Sequence, residues 1–210
     1  MSNKKSYWIL MADVVGSSKQ AGKQLAQQLQ QLTNYLNETY KAAILSPLTV
    51  TLGDEFQGVV KNRQQGVAIL LAAEEWLIAK ESAVKLRYVL WNGPIETAVN
   101  PTIAHGMLGD GLTQARQKLI ELKHDRNTRF YVGNEQPDAV LNQLLFLYDS
   151  IVSQWKKQDY ALVDALLRTG DYKLAAQQLG KDYSLIWRRE KSLQIPQLKA
   201  IENLIQHETA

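Results

Sequence analysis

Two short apolar runs, each ending in an aspartate beside a glycine, constrain this 210-residue chain most strongly. The first is Ile9-Leu10-Met11-Ala12-Asp13-Val14-Val15-Gly16-Ser17-Ser18, and the second is Thr49-Val50-Thr51-Leu52-Gly53-Asp54-Glu55-Phe56. Runs this short, bounded by turn residues, read as buried strands. Each therefore sets a carboxylate at a strand end, where a lone charge is costly to bury. Two such charges about 4 Å apart repel by roughly 4 kcal/mol at an effective dielectric near ~20. A hard divalent cation, Mg²⁺ or Mn²⁺, would remove that repulsion. Asp13 and Asp54 are the expected metal ligands, with the Val14 carbonyl as a third. Metals on such a platform usually hold nucleotide phosphates. Gly16 lets the backbone approach a phosphate, and the helix that follows turns its positive end toward it. Ser17 or Ser18 would cap that helix. The plainer alternative is that both aspartates serve only as turn and cap residues.

Along the chain, Tyr7 to Ala12 reads as a strand, and a helix is expected from about Lys19 to Ala43. Its apolar residues Leu25, Leu29, Leu32, Leu36 and Tyr40 step by three or four and share one face. Leu48–Leu52 and Phe56–Lys61 read as a hairpin turning at Gly53-Asp54-Glu55. A helix over Gln64–Lys80, a strand over Val84–Trp91, a helix over Leu112–Lys123 and a short strand over Arg129–Val132 follow. The order βαββαβ, then αβ, predicts an α+β fold with a ferredoxin-like core. From Ala139 the pattern is helical throughout, with breaks expected at Gly170 and Pro196. A boundary near residue 150 divides the expected domains, 1–150 and 151–210.

The second domain carries helix-turn-helix spacing over Tyr172–Arg189. Ala176 is small enough for a close helix crossing, Gly180 supplies the turn, and Ile186 falls where the second helix meets the core. Tyr183, Ser184, Trp187, Arg188 and Lys191 would then face outward, as groups for duplex DNA. Arg189 stands where such motifs are usually apolar, so Trp187 or Leu193 must fill that space. The competing reading is a helical bundle that packs on the first domain or on a partner.

Composition bounds the chemistry. The chain has no cysteine, which removes disulfides and thiolate metal sites and suits a cytoplasmic setting. Its net charge of +3 does not by itself argue for nucleic acid. The N-terminal apolar run is too short, and too soon interrupted by Asp13, for a signal peptide or membrane span. His105, His124 and His207 show no ligand spacing.

The motifs also carry a family resemblance. Asp13-Val14-Val15-Gly16-Ser17-Ser18 resembles the first metal-binding strand and turn of class III nucleotidyl cyclases. Leu52-Gly53-Asp54-Glu55-Phe56 is similar to their second metal-binding hairpin and to the GGDEF signature. Lys85 to Pro94 resembles the next cyclase strand with its Gly-Pro turn. Gly109-Asp110-Gly111-Leu112-Thr113-Gln114-Ala115-Arg116 is similar to the cyclase helix that supplies an asparagine to ribose and an arginine to phosphate. The narrower resemblance, from the opening motif, the Gly53–Gly58 hairpin and the C-terminal helix-turn-helix together, is to the SatD family of bacterial proteins. It implies a nucleotidyl-cyclase-type core with metal at Asp13, Val14 and Asp54. Nucleotide would lie against Gly16, Ser17, Ser18, Gly53, Glu55 and Arg116. The chain departs from the pattern at Leu52, where GGDEF enzymes have glycine, and in lacking the asparagine, whose place Thr113 or Gln114 would take.

Three functions compete. The first is a cytoplasmic, homodimeric DNA-binding regulator whose cyclase-like domain senses a metal-bound nucleotide. The second is an active nucleotidyl cyclase or nucleotidyl or phosphoryl transferase, in which Arg116 would stabilise charge at phosphorus. The third is a silent module acting only through protein contacts.

Overall fold

The computed structural model describes residues 5–16, 22–51, 53–125 and 127–210. Its first half runs β1 (Ser6–Val14), α1 (Gly22–Thr39), β2 (Ile44–Val50), β3 (Glu55–Val60), α2 (Arg63–Ala79), β4 (Leu86–Pro94), α3 (Asp110–Leu122) and β5 (Phe130–Gly133). The strands form one five-stranded sheet in the order β2-β3-β1-β4-β5. β1 is antiparallel to both β3 and β4, while β5 lies parallel to β4. This is the expected α+β arrangement, a ferredoxin-like βαββαβ unit extended by αβ.

The alternation of β1 sorts the core. Leu10, Ala12 and Val14 point to the side covered by α1 and α2, and join the large apolar cluster there. Ile9 and Met11 point the other way, into a smaller cluster with Ala115, Leu119 and Leu122 of α3. Because strand side chains alternate with period two, Asp13 falls on the α3 side.

Two boundaries differ from the sequence reading. α1 ends at Thr39 rather than Ala43, a single 3₁₀ turn covers Lys41–Ala43, and β2 starts at Ile44 rather than Leu48. Pro47 disguises this strand, since proline cannot donate to a ladder. It is tolerated because β2 is the edge strand, and the register shifts on either side of Ser46. The break expected at Pro196 falls just before it, at Leu193 and Gln194. Pro196 itself sits in the first turn of α8 (Ile195–Thr209), where its missing N–H would be unbonded anyway. Ser17 and Ser18, the expected caps of α1, and Leu52 lie outside the described residues.

The second half is helical: α4 (Ala139–Val152), α5 (Tyr160–Thr169), α6 (Tyr172–Leu179), α7 (Tyr183–Ser192) and α8. Its apolar residues are continuous with the sheet's. Leu145 and Tyr148 of α4, Leu166 of α5, and Leu198 and Ile205 of α8 belong to the same cluster as Leu10 and Ala12. The buried indole of Trp155 donates to the Leu193 carbonyl at 2.9 Å, and Arg63 of α2 donates to the Glu208 carbonyl of α8 at 2.6 Å. Among the described residues no helix is long and apolar enough to cross a membrane.

Candidate functional site

Asp13 stands at the centre of a row of charge across three strands. In the ladder it is paired with Glu55 of β3 on one side and with Arg87 of β4 on the other. Directly opposed residues share a face, so all three side chains are set toward α3. The Asp13 side chain is only 3% exposed. Arg87 Nη1 lies 2.9 Å from each of its oxygens.

α3 brings two further cations. Arg116 Nη1 lies 3.0 Å from Glu55 Oε2. Lys123, which caps the C-terminus of α3, holds its Nζ 3.0 Å from Asp13 Oδ2 and 3.9 Å from Glu55 Oε1. Arg116 and Lys123 are seven positions apart, two helical turns, and so come down on the same side. α3 can approach this closely because Gly111 meets Gly93 of β4. A Cβ on Gly93 would lie 2.7 Å from the Gly111 Cα.

Asp54 takes a different position from Asp13. The Val14 N–H donates to the Asp54 carbonyl at 3.0 Å, which ties the two aspartates' backbones together. Its half-buried side chain forms no ion pair among the described residues. Gly53 makes the turn with φ +84°, in the region that favours glycine, and Gly16 turns the chain after β1 with φ +69°.

Beside this charge row, between α3, the sheet and the segment leading into α3, lies a cleft of about 560 Å³. Met11, Met107 and Leu112 supply apolar walls, with Gln57, Thr113 and Arg116 among its polar groups. Thr51 also lines it, and its buried hydroxyl has no hydrogen-bond partner among the described residues. Cleft size and mixed lining fit a small-molecule site. Gln57 donates to the Ala104 carbonyl and so fixes one wall.

In the helical half, α6 and α7 form a pair joined by Gly180, Lys181 and Asp182, with Gly180 left-handed at φ 60°. Asp171 caps α6, and Asp182 caps α7 by accepting from the Leu185 N–H at 3.0 Å. Ala175, Ala176 and Ile186 are buried between the helices. Arg189 avoids the core by pairing with Asp159 at 2.5 Å, and buried Leu193, not Trp187, occupies the apolar space. Tyr183, Ser184, Trp187, Arg188 and Lys191 are all exposed. The Lys191 ammonium sits 3.8 Å from the centre of the Trp187 ring.

The profile of the SatD family matches residues 7–192. The chain belongs to the SatD family. No curated protein matches it in sequence. Among solved structures it is similar to a bacterial light-regulated adenylyl cyclase, at 12% identity and a TM-score of 0.42, over 60% of this chain and 74% of that one. It is also similar to the guanylyl cyclase Cya2, at 9% identity and a TM-score of 0.36, over 55% and 69% of the two chains.

In this SatD-family chain the carboxylates do not fit a divalent ion as they are arranged. Mg²⁺ asks for near-octahedral oxygens at about 2.0–2.1 Å. Both Asp13 oxygens already accept from Arg87, and one also forms an ion pair with Lys123. Among the described residues no group of three or more His, Cys, Asp or Glu could hold a metal ion. Two members of the network, Arg87 and Lys123, were not among the residues singled out from sequence. Arg87 was visible through the parity of β4, which sets it on one face with Val89 and Trp91. Lys123 was visible only as the residue two turns beyond Arg116.

Proposed function

We propose that this SatD-family protein is a DNA-binding regulator, with α7 as the helix that enters the major groove. One observation carries the reading: the outward face of α7. It presents Tyr183, Ser184, Trp187, Arg188 and Lys191 together to solvent. Arg188 and Lys191 form no ion pair among the described residues, whereas the acids Asp171 and Asp182 are engaged as helix caps. Exposed guanidinium, ammonium, hydroxyl and aromatic groups on a second helix suit phosphate and base-edge contact. Such helices work in pairs on half-sites about one helical turn of DNA apart, so a homodimer is part of the proposal.

The sheet domain is proposed to take a nucleotide or similar ligand in the cleft beside Arg116. The family resemblance and the mixed lining of that cleft support this. The transferase reading is not adopted, because it needs metal on Asp13, where Arg87 and Lys123 already sit.

The test is fluorescence anisotropy on duplex DNA, including the region upstream of the protein's own coding sequence, over a salt series. Binding should weaken steeply with salt, and Lys191→Ala should reduce the log–log salt slope by about one. Absence of any salt-sensitive binding to duplex DNA would remove the proposed output.

A further inference from the structure

We propose that Lys123 is a tethered counter-ion standing in the place of a divalent metal, so that the aspartate platform of this chain works without one. The argument starts from what a metal would do there. It would sit between carboxylates on neighbouring strands and cancel their repulsion. The Lys123 ammonium does this already, 3.0 Å from Asp13 and 3.9 Å from Glu55. Arg87 takes both oxygens of Asp13, and Arg116 takes the remaining oxygen of Glu55.

Charge balance points the same way. The carboxylates of Asp13 and Glu55 carry −2, and the Arg87, Arg116 and Lys123 that pair with them carry +3, so the paired groups have no negative charge to spare. Such a cluster offers a dication no net attraction. To enter, the ion would have to shed water and also expel Lys123. Lys123 is held there for a second reason. It caps the C-terminus of α3, where the helix dipole favours a cation.

Lys123 is 40% exposed, so removing its charge opens no core. That makes it the decisive substitution. Mn²⁺ binding is measured by the loss of the free-ion electron paramagnetic resonance signal. The proteins are wild type, Lys123→Met and the double variant Lys123→Met/Asp13→Asn, each checked for fold by circular dichroism. Lys123→Gln repeats the test should the methionine variant misfold. Wild type should show no Asp13-dependent binding at about 1 mM Mn²⁺. Lys123→Met should bind at least about tenfold more tightly, and the double variant should lose that gain. Two results overturn the proposal: Asp13-dependent binding by wild type as tight as by Lys123→Met, or no gain in either Lys123 variant. Neither depends on whether α7 binds DNA.

Discussion

Arg129 meets Glu74 through two parallel hydrogen bonds, Nη1 to Oε1 at 3.0 Å and Nη2 to Oε2 at 2.6 Å, out of reach of solvent. Its Nε donates to Asp149 of α4 at 2.8 Å, and Tyr88 of β4 donates to Glu74 at 2.8 Å. Burial works against the guanidinium's charge, but Glu74 and then Asp149 outweigh it and raise its pKa. Burial likewise pushes the Tyr88 phenol well up. We predict that Arg129→Met costs about 3–5 kcal/mol, because it strands two buried carboxylates. Arg129→Lys should recover little, since an ammonium cannot form the fork. Urea unfolding midpoints of the two variants check this.

The two motif aspartates should behave unequally. Asp13→Asn leaves Arg87, whose side chain is only 13% exposed, without its counter-charge, and should destabilise by about 2–4 kcal/mol. Asp54→Asn removes no ion pair among the described residues and should fall within about 0.5 kcal/mol of wild type. Equal effects in thermal unfolding would contradict the geometry described.

Glu202 of α8 gives the protein a pH dependence. Burial, then the nearby charge of Glu75, raises its pKa to about 7, partly opposed by Lys199. The folded state therefore binds a proton that the unfolded state releases at lower pH, near about 4.3 for a free glutamate. The associated stability is fully present below that value and is lost as pH rises through about 7. Glu202→Gln should raise the melting temperature at pH 8 and flatten its fall between about pH 4.5 and 7. A variant melting curve that tracks wild type at every pH would refute this.

The seat of α3 rests on two glycines. A Cβ on Gly93 would also come within 2.9 Å of the Trp91 indole nitrogen. Gly93→Ala should lift the N-terminal end of α3 off β4 and cost roughly 1–3 kcal/mol. Faster amide exchange in the first turn of α3 than in α2 would show the lift directly.

Much of the fold was legible because its signals are local. The aspartate-ended runs marked β1 and the β2–β3 turn, and Gly180 with Ile186 marked the α6–α7 pair. The site was legible only in part, because it depends on parity and register. β3 begins at Glu55, so a one-residue slip at the turn would have set Asp54 on the α3 face in its place. No local pattern settles that choice. Lys123 lies just past the end of its helix, and its spacing from Arg116 does not say that a carboxylate lies opposite.

The hydrogen bond from Arg63 to the Glu208 carbonyl joins positions 145 residues apart. Contacts of such separation are made late, because the entropy of closing the intervening chain must be met first. α8 follows the α6–α7 pair in sequence yet docks against α2, which precedes it by more than half the chain. The α6–α7 pair is thus flanked on both sides by elements that pack against α2, α5 before it and α8 after it. Folding therefore holds α7 to the sheet by a closed clasp, and a partly made chain would display α7 without the orientation that the finished molecule gives it.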